Sequence, residues 1–450
     1  MESALSTDPA AARRTRPSSV ARWAGRPAPA EVLSLVAWAA LIGIAWRWGS
    51  ALNAEGATIQ LNAPPLFGHW DLRAGPDLLI PAAAAAAIVL AAPAATRAQR
   101  WPGLLAVTGL AAFGWAVALA LTEGPGGLSR PLEGPSDYLA AVALVDSPGT
   151  LLSTFTDRID EYTTHVRSHP PGMLLALWGL EEIGLGGAWP AAVVIIAVAS
   201  SAAPAALIAL RAVADEASAR RAAPFLVLVP GAVWIATTAD ALYMGIGAWA
   251  VALTVLAVVA TGRRSHLLAA GGGLLFGAAL LLSYGLALLG IIPLAVAVAR
   301  RRLRPLLVAG AGVAAVMLAL LAAGFWWLDG LLAVREQYLG SIAQTRPYDF
   351  FLVSNLAAFG LAAGPVAAVA LARLRDRRVW LLVGGALAAV LIADLSGMSK
   401  AEVERIWLPF LPWVLLAASA LPATPGRMRL LLGAQAACAI AIQVGVRTLW

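Results

Sequence analysis

Apolar residues arrive in long blocks, separated either by tight arginine clusters or by longer polar stretches rich in acids and aromatics. Most blocks run for about 17–24 residues, the length a helix needs to cross roughly 30 Å of hydrocarbon. Strict alternation of apolar and polar positions, the mark of a barrel strand, is absent, and alanine and leucine dominate. The pattern predicts an all-α, polytopic transmembrane protein. Thirteen spans are expected, near 31–48, 77–95, 103–122, 187–210, 222–240, 242–261, 266–282, 285–299, 305–327, 351–372, 379–395, 406–421 and 430–447. Cytoplasmic loops carry an excess of cations, and the arginines cluster in alternate loops, at 97/100, 211/220/221, 263/264, 300–304, 373–378 and 427/429. The N-terminus is therefore expected inside and the C-terminus outside.

One apolar run does not fit that alternation. Residues 173–185 hold Glu181 and Glu182, and a crossing there would carry Arg211, Arg220 and Arg221 to the outside. Runs of about 10–14 apolar residues are more often interfacial than spanning. The segment is expected to lie along the outer face as a juxtamembrane helix started by Pro170-Pro171, because a first turn tolerates proline's missing donor. The organisation that follows is a disordered cytoplasmic tail (1–30), two N-terminal spans (31–102) with outer loop 49–76, and a membrane core (103–450) with outer loop 123–170.

Composition sharpens this in two ways. With 60% hydrophobic and 13% charged residues the chain departs far from a soluble domain. The net charge of +7 invites a nucleic-acid partner, but the arginines sit in short loops between spans, so none is expected. A single cysteine, Cys438, excludes an intramolecular disulfide or a cysteine metal site. No glycine-rich phosphate loop or nucleotide fingerprint occurs.

Candidate chemistry gathers in the outer loops, which hold three of the four histidines. The segment Thr156-Asp157-Arg158-Ile159-Asp160-Glu161-Tyr162 runs into His165-Val166-Arg167-Ser168-His169-Pro170-Pro171-Gly172. Part of it has the i, i+3 and i, i+4 spacing of an ion-paired helix. Its histidines and arginine also supply the donors a phosphate needs. The acids Asp137, followed by Tyr138, and Asp71, in Gly68-His69-Trp70-Asp71, are candidate bases. A late outer loop carries Lys400, the only lysine, then Glu402, Glu404 and Arg405 running directly into a span, where charge is expensive without a partner. Arg346, Tyr348, Tyr284 and Asp240 are weaker candidates in neighbouring outer positions. A metal centre from His165, His169 and Asp160 has the right Hx₃H spacing. Against it, His169 precedes a proline and is biased away from helix.

A large first loop with an early acid, a His169-Pro170-Pro171 segment at its end and many spans thereafter resembles the GT-C superfamily. These integral-membrane glycosyltransferases use polyprenyl-phosphate sugars, and include protein mannosyltransferases, aminoarabinose transferases and actinobacterial mannosyl- and arabinosyltransferases. The resemblance covers about residues 103–420. It implies a GT-C-like fold in the plasma membrane with catalytic loops outside, and inverting sugar transfer from the lipid donor to a hydroxyl of a glycan, lipid or protein. It also implies Asp137 as base, with Asp71 as its rival. The donor phosphate would be held by His165, Arg167, His169, Arg346, Lys400, Glu402, Glu404 and Arg405, and Tyr138, Asp160, Glu161, Tyr284 and Tyr348 would line the substrate pocket. A divalent cation is a possible cofactor. The chain departs from its relatives in having Tyr138 where many carry a second acid. Two readings from other classes remain: a transporter or flippase of lipid-linked substrates, and a non-catalytic subunit of a cell-envelope assembly.

Overall fold

The computed structural model describes residues 28–448, so the tail expected over 1–30 lies almost wholly outside the described residues. Among the described residues ten helices are long and apolar enough to cross a membrane: Pro29–Ala54, Pro76–Ala98, Trp101–Glu123, Ala188–Val213, Ala239–Val259, Gly262–Leu282, Arg304–Ala322, Arg377–Leu395, Val403–Ala420 and Pro425–Gly445. An eleventh crossing is available if the bent pair Tyr348–Ala363 and Pro365–Arg373 counts as one. The protein is all-α and of multi-pass membrane character. Among the described residues the only strands are His69–Trp70 and Val446–Arg447, which pair antiparallel.

The helical bundle has two chemically distinct ends. At one, arginines tie neighbouring helices together: Arg220 donates to the carbonyls of Thr96 and Gln99, Arg221 to Ser419 and Arg300 to Val213. There too the buried carboxylate of Glu31 is shared by Arg373 and Arg427, which fastens the first helix to the late ones. At the other end lie the acidic loops. The grouping follows the division of charge expected from the sequence.

The expected span at 222–240 is replaced by irregular backbone. The segment holds only the 3-10 turns Ala223–Leu226 and Pro230–Trp234 before the helix Ala239–Val259 begins. Pro224 and Pro230 each lack a backbone donor, and a proline ring clashes with the carbonyl four residues back. The segment still runs from end to end, from Arg220 at the arginine end to Thr237, whose hydroxyl donates to the Leu128 carbonyl. Nearly every residue along it is buried, and at such depth non-helical backbone survives only where protein encloses it.

The segment expected at 285–299 is present as the apolar helix Tyr284–Ala299, short for a span, while the stretch expected at 351–372 bends by 92°. The bend falls at Gly364-Pro365. Pro365 cannot extend the preceding ladder, and Gly364 takes φ +78, which a side chain disfavours. The break strands a carbonyl and an N–H, and Gln435 of the last helix satisfies both: its Nε2 donates to Ala363 O at 3.0 Å and its Oε1 accepts from Val366 N at 3.2 Å.

The apolar run expected to lie along the outer face is helical over Gly172–Glu182, directly after the two prolines. Gly172 is needed because a Cβ there would lie 2.3 Å from the Leu281 carbonyl oxygen. That close approach seats the end of the long loop on helix Gly262–Leu282.

Candidate functional site

The long loop folds as short helices, Leu139–Val142, Pro148–Thr154 and Thr164–Arg167, joined by turns. The ion-paired helix considered for 157–165 does not form. Tyr162 and Thr163 are extended between the turn Ile159–Glu161 and the helix Thr164–Arg167, so Asp157, Glu161 and His165 share no helical face. What survives is an Arg158–Glu161 pair at 2.7 Å, which holds the Glu161 carboxyl below its usual range.

The loop is closed on itself where its two ends meet. His165 N donates to Ser136 O at 3.1 Å, and His165 Nδ1 lies 3.2 Å from Asp137 Oδ2. A carboxylate oxygen only accepts, so Nδ1 carries the proton and the imidazole orients the acid. The other oxygen, Oδ1, accepts from Tyr138 N at 2.7 Å. Asp137 is thereby fixed at two points, with its side chain 13% exposed.

Asp137, Tyr138, His165 and His169 line one cavity with Thr238, Ala239 and Arg405, drawn from three distant parts of the chain. Its free volume is about 10 Å³, room for about one water. Arg405 is buried and pairs with both Asp240 and Glu402. Asp137 is thus the one carboxylate on the cavity wall, and the charge of Arg405 is met by Asp240 and Glu402, which do not line the cavity. Ala401 and Glu402 both adopt positive φ, 76° and 63°, a conformation uncommon for residues with side chains. Strain of this kind persists only where surrounding contacts enforce it.

His169 differs from expectation. Its Nδ1 is 3.0 Å from the His165 carbonyl oxygen, so Nδ1–H donates and, in the neutral ring, Nε2 is left as an acceptor. Burial pushes its pKa below the ordinary value, against the opposing pull of Asp240. The ring is therefore a neutral acceptor near pH 7 and not the phosphate-binding cation the sequence suggested. Tyr138 and Tyr243 share a hydrogen bond of 3.0 Å between hydroxyls. Burial, reinforced by the carboxylates of Asp240 and Asp137, holds the Tyr138 phenol well above its usual pKa, so it stays protonated.

Other expected residues lie outside this cavity. Arg346 and Lys400 are turned on each other's loops: Lys400 Nζ donates to the carbonyls of Ala343 and Arg346, and Arg346 to Lys400 O and Gln60. Buried Glu404 accepts from Phe67 N at 2.9 Å. These are loop-tying roles. Asp160 accepts from Gln337, Tyr348 donates to Leu395 O, and Tyr284 packs against Trp327. Asp71 faces Arg447 at 3.8 Å beside the two-stranded pairing and does not line the cavity. Arg167 is half-buried, and its guanidinium forms no ion pair among the described residues. No three His, Cys, Asp or Glu side chains converge as a metal site among the described residues.

Sequence reasoning missed Thr238 and Tyr243 and undervalued Asp240. The signal was there for two of them: Asp240 is the one acid in a long apolar helix, and Tyr243 follows it by three positions, on the same face. No protein-family model, curated protein or solved structure matches the chain.

Proposed function

We propose that the protein is a membrane glycosyltransferase of GT-C type, moving a sugar from a polyprenyl-phosphate donor to an acceptor hydroxyl with inversion. The reading sets all thirteen crossings in the plasma membrane, the N-terminus in the cytoplasm and the acidic loops outside. The observation that carries it is the convergence of Asp137, His165, His169 and Arg405 on one cavity. Asp137, held by His165, takes the acceptor's proton as that oxygen attacks the anomeric carbon. The bond from that carbon to the phosphate oxygen breaks, and its electron pair leaves with the phosphate. Positive charge develops on the sugar in such a transition state, and the Asp137 carboxylate on the wall suits it, while the Arg405 charge is already offset by Asp240 and Glu402.

Arg405 is already engaged by Asp240 and Glu402, so it is a framework residue on this reading and Arg167, two positions from either histidine, takes the phosphate role. With room for only about one water, the cavity must widen before a sugar enters. Asp137→Asn should lower turnover of a radiolabelled polyprenyl-phosphate sugar by about 10²–10⁴-fold, while Asp71→Asn leaves it unchanged. Undiminished turnover in Asp137→Asn overturns the assignment.

The broken backbone at 223–238 and at Gly364 favours a second reading, transport of a lipid-linked substrate, because discontinuous spans mark many transporters. Flux of the lipid-linked sugar across proteoliposomes with its glycosidic bond intact would select that reading.

A further inference from the structure

A larger cavity, about 340 Å³, opens at the acidic end where three apolar helices finish: the start of Pro76–Ala98 and the ends of Trp101–Glu123 and Pro425–Gly445. Its wall carries three arginines, Arg73, Arg130 and Arg447, against two acids, Asp77 and Glu123. Arg73 is committed to the fold. It pairs with Glu123 and donates to the carbonyls of Gln443 and Val446, although its buried Nε finds no partner. The other two are only loosely engaged: Arg130 reaches Glu123 at 3.4 Å and Arg447 reaches Asp71 at 3.8 Å. Their side chains are 55% and 51% exposed, so both guanidiniums can turn to a ligand.

We infer that this cavity binds the phosphodiester headgroup of a membrane lipid. On the wall itself three cations stand against two anions, and the Asp71 contact to Arg447 is long, so a monoanionic phosphodiester can take its place. Guanidinium forks suit its paired oxygens better than any other side chain. The volume lies within the range of small-molecule sites. Position decides between a lipid and a soluble ligand. Leu72 and Leu79, next to the lining residues Arg73 and Leu78, are 81% and 72% exposed, so acyl chains would find apolar surface beside the charged pocket. Cationic pockets at the ends of spans are a recurrent way to hold acidic lipids. The site shares no lining residue with the Asp137 cavity and does not depend on the transfer reading.

The test is native mass spectrometry of the full chain released from detergent and titrated with phosphatidylglycerol, diacylglycerol or glycerophosphoglycerol. Phosphatidylglycerol should bind, diacylglycerol should not, and the chain-free diester should bind at least tenfold more weakly. Arg130→Gln should weaken phosphatidylglycerol binding about tenfold, the loss of one charge-assisted hydrogen bond, and Arg130→Gln/Arg447→Gln further. Arg263→Gln, an exposed arginine at the opposite end, should change nothing. Wild-type affinity in the Arg130 variant, or equal affinity for diacylglycerol, overturns the anion site. Equal affinity for the soluble diester overturns its assignment to a lipid. Arg130 is exposed and held by long contacts only, so its variant remains folded and the result readable.

Discussion

Replacing Gln435 with leucine tests the account of the bent span directly. Leucine has nearly the volume of glutamine, so packing changes little while both amide contacts vanish. The Ala363 carbonyl has lost its helical partner, since Ala367 N bonds to Gly364 O at 3.1 Å instead. Val366 N, in the first turn after the break, has only the Gln435 oxygen at 3.2 Å. Gln435 is fully buried, so no water replaces it. Each orphaned group costs about 1–3 kcal/mol, so Gln435→Leu should destabilise the fold by about 2–6 kcal/mol. Gly364→Ala acts on the same junction, because its Cβ would fall 2.2 Å from Gln435 Oε1 at a backbone angle alanine disfavours. The double variant should therefore cost less than the two singles together, as expected of residues sharing one contact. Unfolding can be followed with a thiol-reactive dye, since Cys438, the only cysteine, lies on the same helix three residues from Gln435. Dye exposure in Gln435→Leu at the wild-type midpoint, or full additivity with Gly364→Ala, would refute the reasoning.

Glu31→Gln should destabilise by about 3 kcal/mol, the lower end for breaking a buried pair, because Arg373 is 35% exposed and can be partly rehydrated. Thermal melts in detergent would measure it. Tyr138→Phe and Tyr243→Phe should each cost about 1–3 kcal/mol by orphaning the other hydroxyl, while the double variant costs less than either; a double-mutant cycle decides. Burial depresses the His169 pKa, so below its ordinary value of about 6.5 the unfolded chain binds a proton that the folded one refuses. Its contribution to stability is full above that pH and falls as the medium is acidified towards the folded pKa. His169→Gln should flatten this dependence, as denaturant titrations across pH 4–7 would register.

Much of the architecture is written in local pattern. Apolar block length and arginine spacing depend on neighbours in sequence, and the two ends of the bundle follow them. The irregular crossing was also legible, for Pro224, Pro230 and Gly231 stand inside the block read as a helix, and Gly364-Pro365 marks the bend. Hydropathy alone reads the block as a helix, whereas enclosure by neighbouring protein removes the need for one. The site was half legible. Asp137, His165, His169 and Arg405 were all candidates, but that they meet depends on contacts across hundreds of residues. Charge on Arg346 and Lys400 pointed to a phosphate, yet backbone carbonyls satisfy both cations, and sequence does not reveal such partners. The neutral state of His169 arises from burial and one carbonyl, neither visible in a motif.

The pairing of His69–Trp70 with Val446–Arg447 bears on how the molecule is assembled. Asp71 N and Arg73 N also bond to the carbonyls of Gly445 and Val444. A ribosome delivers the first extramembrane connection long before the segment that pairs with it, so this pairing forms only after the helix Pro425–Gly445 has been made, later than the Arg73–Glu123 contact. Deleting Val446–Arg447 would thus loosen a region made much earlier in translation.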